Sequence, residues 1–193
     1  MTGSDPIAEF RELLAKATQS EAGDATACTL ATADATGRPA ARMVLLKGVD
    51  DSGFVFFTNY GSRKARELDA NPDAALCFYW SSLDRQVRVE GAVARLPAAE
   101  SDAYFASRAR RSRIAAWASK QTQPLASRAE LVARVARYEA KFLGREVPRP
   151  EFWGGYRLTP RRVEIWHNQL HRLHDRFVYR ATADGWERQR LYP

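Results

Sequence analysis

Cys28-Thr29-Leu30-Ala31-Thr32-Ala33, the turn Asp34-Ala35-Thr36-Gly37, and the run Arg42-Met43-Val44-Leu45-Leu46-Lys47-Gly48-Val49 open the part of the chain that decides its fold class. A second turn, Asp50-Asp51-Ser52-Gly53, leads into Phe54-Val55-Phe56-Phe57-Thr58. Short apolar runs joined by tight glycine-bearing turns predict an antiparallel meander. Working outward, Ala74–Trp80 and Gln86–Arg95 read as two further strands. The first is a continuous apolar run, which predicts burial on both faces. Near the C-terminus Tyr156–Leu158, Arg162–Trp166, Arg172–Arg180 and Trp186–Leu191 return to strand.

Helices separate these strands. Ile7 to about Thr18 places Ile7, Phe10, Leu13, Leu14 and Ala17 on one face, and Arg63–Ala70 is ended by Asn71-Pro72. Pro97–Ser107, Ser112–Ser119 and the amphipathic Arg128–Phe142 follow, before Pro148-Arg149-Pro150 breaks the pattern. Strands, then helices, then strands again predict a mainly β protein with α: a closed or nearly closed antiparallel barrel with helices packed outside. With no repeat and no low-complexity linker, residues 1–193 are expected to form a single domain.

A chain of 193 residues can bury a sizeable core without disulfide staples. Cys28 and Cys77, each in an apolar run, read as buried thiols of a reducing compartment. The start MTGSDPIAEF has no apolar signal region, and nowhere do eighteen apolar residues run together. A cytoplasmic protein without a membrane span is expected. The net charge of +7 rests mostly on arginine, which suits bidentate phosphate recognition.

Three segments carry anion chemistry. Ser62 is a natural N-cap, which puts Arg63 and Lys64 in a first helical turn that already bears partial positive charge. Two exposed cations there make sense if an anion binds the free N–H groups. Tyr104, Arg108 and Ser112 are spaced by four, so on a helix they share one face and form a second phosphate-sized site. In Arg172-Leu173-His174-Asp175-Arg176, strand alternation sends Arg172, His174 and Arg176 to one face, where they repel unless an anion sits opposite. The bland alternative for that strand is a charged edge that blocks aggregation. Arg42 and Lys47 flank an apolar strand but point to opposite faces. The histidines His167, His171 and His174 lack a metal-ligand pattern, so no metal is expected.

Taken in order, RMVLLK, FFTNYGSRKA, RQVRVEG, YFASR, WASKQ, VPRPEFWGGYRL and HRLHDR resemble the pyridoxine (pyridoxamine) 5'-phosphate oxidase family from about Asp5 to Pro193. The resemblance implies an FMN-binding split β-barrel, dimeric, with dimerisation strands over about 150–193 and flavin sites at the subunit interface. It implies oxidation of pyridoxine 5'-phosphate and pyridoxamine 5'-phosphate to pyridoxal 5'-phosphate, with O2 as acceptor and H2O2 as product. By motif, the FMN contacts would be Arg42, Met43, Val44, Leu45, Leu46, Lys47, Phe57, Thr58, Arg63, Lys64, Gln86, Gln121, Thr122, Trp166 and Arg176. Tyr104, Arg108 and Ser112 would hold the vitamin phosphate. Lys47, Arg172 and His174 would flank its ring, with Asp24 nearby. Arg172 and His174 would be catalytic, orienting the C4' substituent and easing the loss of its proton.

The chain also departs from the family pattern. His167-Asn168-Gln169-Leu170 replaces a small-residue turn, and Ala109, Arg113 and Ala115 are substitutions in the SRARRSRIAAW segment. The basic, tyrosine-bearing N-terminal extension that can close over substrate in the family is expected to be missing. Two other readings compete: a phenazine-type flavin oxidase of secondary metabolism, and a non-catalytic basic protein binding anions or nucleic acid. The retained phosphate set argues against the first. Aromatic residues that lie in apolar runs, apart from the basic patch, argue against the second, so no nucleic acid is expected.

Overall fold

The computed structural model describes residues 5–193, so the part of the leader reading that rests on residues 1–4 lies outside the described residues. The elements run α1 (Pro6–Ser20), β1 (Ala27–Ala33), β2 (Pro39–Leu45), β3 (Gly48–Asp50), β4 (Gly53–Asn59), α2 (Arg63–Ala70), β5 (Asp73–Trp80) and β6 (Arg85–Arg95). They continue with α3 (Ala98–Ser107), α4 (Arg110–Ala118), α5 (Arg128–Lys141), β7 (Trp153–His167), β8 (Asp175–Thr182) and β9 (Gly185–Leu191).

One antiparallel sheet takes the order β2-β1-β5-β6-β7-β4-β3, with β8 and β9 branching from β7. The two ends of that path, β2 and β3, are consecutive in sequence, and only Leu46 and Lys47 separate them. A sheet whose opposite edges are joined by two residues has to curl. Successive amides make the seam: Leu46 N–H donates to Thr26 O at 2.9 Å, and Lys47 N–H donates to Val55 O at 2.8 Å. The single strand expected over Arg42–Val49 is therefore two strands, broken at the seam.

β7 is also one strand where two were expected. Its first half pairs with β4, Asn59 opposite Trp153, and its second half with β8, His167 opposite Asp175. The change of partner coincides with a register shift at Glu90/Gly91 on β6. Only glycine fits there, since a Cβ on Gly91 would lie 2.0 Å from Thr159 O. The barrel is thus split into two arms.

The core fills the curl. α1 is capped by Asp5, whose carboxylate accepts from Ile7 N–H at 2.9 Å, with Pro6 at the first helical position. That helix presses Phe10 onto Phe54, Phe78 and Trp80 at ring-centroid distances of 4.8, 4.9 and 5.6 Å. A second cluster, Phe105, Ile114, Phe142, Val147 and Trp153, sits under α3, α4 and α5.

Other expectations are corrected here. β5 is buried on one face only, because its side chains alternate: Leu76, Phe78 and Trp80 point inward, while on the outer face Ala75 and Cys77 are half-buried and Tyr79 is 60% exposed. The helix expected from Ser112 starts at Arg110. The strand expected from Arg172 starts at Asp175, because Leu170–Arg172 form a 3-10 turn in which His171 and Arg172 have φ of 56° and 63°. Among the described residues no helix is long and apolar enough to cross a membrane.

Phe10 touches both arms of the meander and is fully buried. Phe10→Ala is expected to lower unfolding free energy by about 3–5 kcal/mol. Urea denaturation measures it, and a change below about 1 kcal/mol would show that α1 does not anchor the barrel.

Candidate active site

A cavity of about 430 Å³ opens between β2, β4 and the α3–α4 junction. Its floor is Lys64, Thr58 and Gln121. Ser62 caps α2 as expected, its hydroxyl accepting from Ala65 N–H. The two first-turn cations then part company. Arg63 stays exposed and pairs with Glu67 at 2.7 Å. Lys64 is buried, contrary to expectation, because the first turn of α2 lies against β4. Its ammonium donates to Thr58 Oγ1 at 3.1 Å and Gln121 Oε1 at 3.0 Å, both neutral acceptors. Burial pulls the Lys64 pKa down, and the nearby Arg42 charge adds to the shift. Among the described residues no ion pair uses Lys64, so the cavity floor is a buried cation facing open space.

Tyr104, Arg108 and Ser112 form one wall, although not on one helix face. α3 ends at Ser107 and α4 begins at Arg110, so the shared-face expectation fails while the convergence holds. Phe57, Tyr104 and Trp153 stack at 3.9 and 5.3 Å from the Phe57 ring, making an aromatic shelf. The Arg108 guanidinium lies 4.7 Å over Trp153, and its Nη1 is buried without a hydrogen-bond partner. Desolvation lowers the Arg108 pKa and raises that of Tyr104. A buried donor left unpaired is costly and marks a place where a ligand oxygen fits.

Met43, Val44, Leu45 and Lys47 line the opposite wall. Arg42 and Leu46, also expected there, do not. Arg42 is instead drawn to α2 and β1, where it donates to Thr32 Oγ1 at 2.5 Å and pairs with Glu67 at 2.8 Å, and Leu46 is in the core. Thr122 Oγ1 accepts the Arg63 backbone N–H at 3.0 Å, and neither of these two expected contacts lines the cavity. The Asp24 pKa is held down by hydrogen bonds from Thr26, with the Lys47 charge contributing.

A second cluster lies elsewhere. Gln86, Trp166 and Arg176 are register partners across β6, β7 and β8. His174 packs on Trp166 with centroids 4.7 Å apart. None of Gln86, Trp166, Arg172, His174 or Arg176 lines the cavity. Within one chain the expected site residues therefore fall into two groups that share no cavity.

Sequence reasoning missed the carboxylates beneath both groups. Glu67 joins Arg42 to Arg63; its spacing of four from Arg63 was a usable signal. Glu164, only 2% exposed, receives Arg176 through Nε at 3.0 Å and Nη2 at 2.9 Å, Arg162 at 2.7 Å, and Arg88. Its one local signal is Arg162, two residues away on the same strand, while Arg88 and Arg176 reach it from the neighbouring strands.

The curled antiparallel sheet and its cation-floored cavity define a protein of the split-barrel class with an open, positively charged pocket. Residues 10–142 match the pyridoxamine 5'-phosphate oxidase family, and residues 153–193 match the pyridoxine 5'-phosphate oxidase C-terminal dimerisation region. The chain belongs to that family. It is 59% identical over 189 residues to a pyridoxine/pyridoxamine 5'-phosphate oxidase of Anaeromyxobacter dehalogenans, covering 98% of this chain and 96% of that one. It is 58% identical over 189 residues to the protein of that name from Thermosynechococcus vestitus, covering 98% and 89%. Among solved structures, PhzG from Burkholderia lata, in complex with tetrahydrophenazine-1-carboxylic acid, superimposes with a TM-score of 0.93 at 33% identity, covering 99% and 94%.

Burial pushes the Glu164 pKa up, but hydrogen bonds from Arg176 and Arg88 outweigh it and hold the group below its ordinary 4.5. A carboxylate depressed in this way stabilises the fold above pH 4.5, and that contribution is lost as pH falls through the lower folded value. Glu164→Gln is expected to flatten the acid limb of the stability–pH curve below pH 4.5. Denaturant midpoints between pH 3 and 6 read this out. An acid limb as steep as that of the parent would show that Glu164 carries none of it.

Proposed function

We propose that the protein is an FMN-dependent oxidoreductase acting on CH–NH2 and CH–OH groups, which oxidises pyridoxamine 5'-phosphate and pyridoxine 5'-phosphate to pyridoxal 5'-phosphate. The alcohol and O2 give the aldehyde and H2O2; the amine, O2 and water give the aldehyde, ammonia and H2O2. The observation that carries the reading is Arg108: a desolvated guanidinium over the Trp153 ring, with one buried nitrogen unpartnered, sharing the cavity wall with Tyr104 and Ser112. That is a socket for a phosphate monoester. The names of the curated relatives support the same substrates.

The residues present also fit FMN. Lys64 supplies a buried cation with no carboxylate partner among the described residues, and Arg63 and Thr122, hydrogen-bonded to each other, adjoin Lys64 and Gln121 in the chain. Met43, Val44, Leu45, Lys47, Phe57, Thr58 and Gln121 supply the cavity walls, with Gln86, Trp166 and Arg176 contributed from the second cluster. When bound, the flavin supplies the two-electron acceptor that O2 restores. Tyr104, Arg108 and Ser112 then anchor the vitamin phosphate, while Lys47, Arg172 and His174 flank the ring, with Asp24 behind Lys47.

Two half-sites on one chain are joined if two copies associate. Residues 153–193, the region matching the dimerisation model, carry Trp166, Arg172, His174 and Arg176. On the other arm Met43 (63% exposed) and Tyr79 (60% exposed) leave apolar surface open on the sheet. We read residues 1–193 as one domain of a homodimer whose two sites each draw on both subunits.

A phenazine-type oxidase is the competing reading, favoured by the PhzG superposition. The phosphate socket separates the two by its kinetic signature. Arg108→Ala is expected to raise KM for pyridoxine 5'-phosphate roughly tenfold or more with kcat little changed, because a phosphate contact is the same in ground and transition states. Arg172→Ala and His174→Ala should instead lower kcat, and all three should keep bound FMN. Peroxide release with each vitamer measures both parameters. An unchanged KM in Arg108→Ala would remove the phosphate assignment.

A further inference from the structure

The turn between β7 and β8 is tied together by Gln169. Its backbone N–H donates to His174 Nδ1 at 3.1 Å. Its side-chain nitrogen lies 3.1 Å from Asp175 Oδ2 and 3.2 Å from His167 Nδ1. The ionised carboxylate of Asp175 only accepts, so the atom facing it is the amide NH2; an amide nitrogen does not accept, so His167 Nδ1 is the acceptor as well. Asn168 fastens the entry to the turn, its N–H donating to Asp84 O at 2.9 Å and its side chain to Asp84 Oδ1 at 3.3 Å. Between Gln169 and His174 the chain passes through His171 and Arg172, two successive non-glycine residues in the left-handed region. Such a pair persists only where the surroundings over-determine it.

An imidazole whose Nδ1 accepts a hydrogen bond carries its single proton on Nε2. The Nδ1 lone pair of His174 is then engaged, and Nε2 has none free. The ring offers a donor and no site for taking up a proton. We propose that Gln169 is a positioning residue that fixes His174 as the Nε2–H tautomer and holds Arg172 in its left-handed turn. His174 thereby meets the substrate as a hydrogen-bond donor and not as a base. This rests on the oxidase reading above for its catalytic half, and it revises the proton-accepting role that the sequence suggested for His174. It also gives a task to Asn168 and Gln169 in the His167–Leu170 segment.

The test uses the FMN-loaded protein, labelled with 15N, and two variants. Long-range 1H–15N spectra of the parent protein should show His174 protonated on Nε2 with Nδ1 bare. Gln169→Ala removes the side-chain anchor. Gln169→Glu keeps the size but presents a carboxylate to Asp175. Both should give mixed His174 tautomers and a kcat lowered about tenfold, with KM within about twofold. Thermal midpoint and bound FMN should stay at parental values. A residue that merely filled space would tolerate Glu and leave the tautomer alone. A parental His174 carrying its proton on Nδ1, or parental kcat in both variants, would overturn the proposal. A parent chain that turned over neither vitamer would sink the oxidase reading, while the tautomer would still decide the role of Gln169.

Discussion

The two-residue link Leu46-Lys47 is the constraint on which the rest of the structure depends. It joins the opposite edges of a seven-strand path, so the sheet cannot lie flat. Curling puts Phe10, Phe54, Phe78 and Trp80 in one core and brings β2 against β4, which opens the cavity between them and the helices. The seam also sends Leu46 inward and Lys47 outward, so a structural hinge and a ligand-facing cation are adjacent residues. Fold closure and site construction are one event.

Charge is managed by two buried carboxylates. Glu67 and Glu164 each receive more than one guanidinium, and each lies beneath one of the two half-sites. Buried ion pairs of this kind add little net stability over apolar packing, but removing one partner leaves a costly unpaired charge. Their use here is orientation. Arg42, Arg63 and Arg176 are held in place, while Lys64 and Arg108 are left without carboxylate partners. The neutralised arginines frame the site, and Lys47, Lys64 and Arg108, which line it without an ion pair among the described residues, leave it positive.

Much of this was legible in the residues. The Ser62 cap and the Asn71-Pro72 stop gave α2 its observed bounds, because local capping chemistry decides helix ends. Tyr104, Arg108 and Ser112 converge as their spacing suggested, although a break at Arg108 and Ala109 reorients the second helix. The Arg172–Arg176 face was misread because consecutive left-handed residues without glycine, here His171 and Arg172, have no sequence signature. Burial of Lys64 and the role of Glu164 escaped because each depends on partners more than fifty residues away in the chain, or on a neighbouring strand.

On the proposed function one working site needs two chains, since Tyr104, Arg108 and Ser112 line the cavity of a single copy while Arg172 and His174 do not. Co-expression of Arg108→Ala and Arg172→Ala chains carrying different tags yields hybrid dimers that can be purified and assayed at low substrate concentration. If each site draws Arg108 from one subunit and Arg172 from the other, one of the hybrid's two sites is intact, giving about half the activity of the parent dimer. If both residues serve the same site from one chain, neither site is intact, and the hybrid would be no more active than the two variants alone.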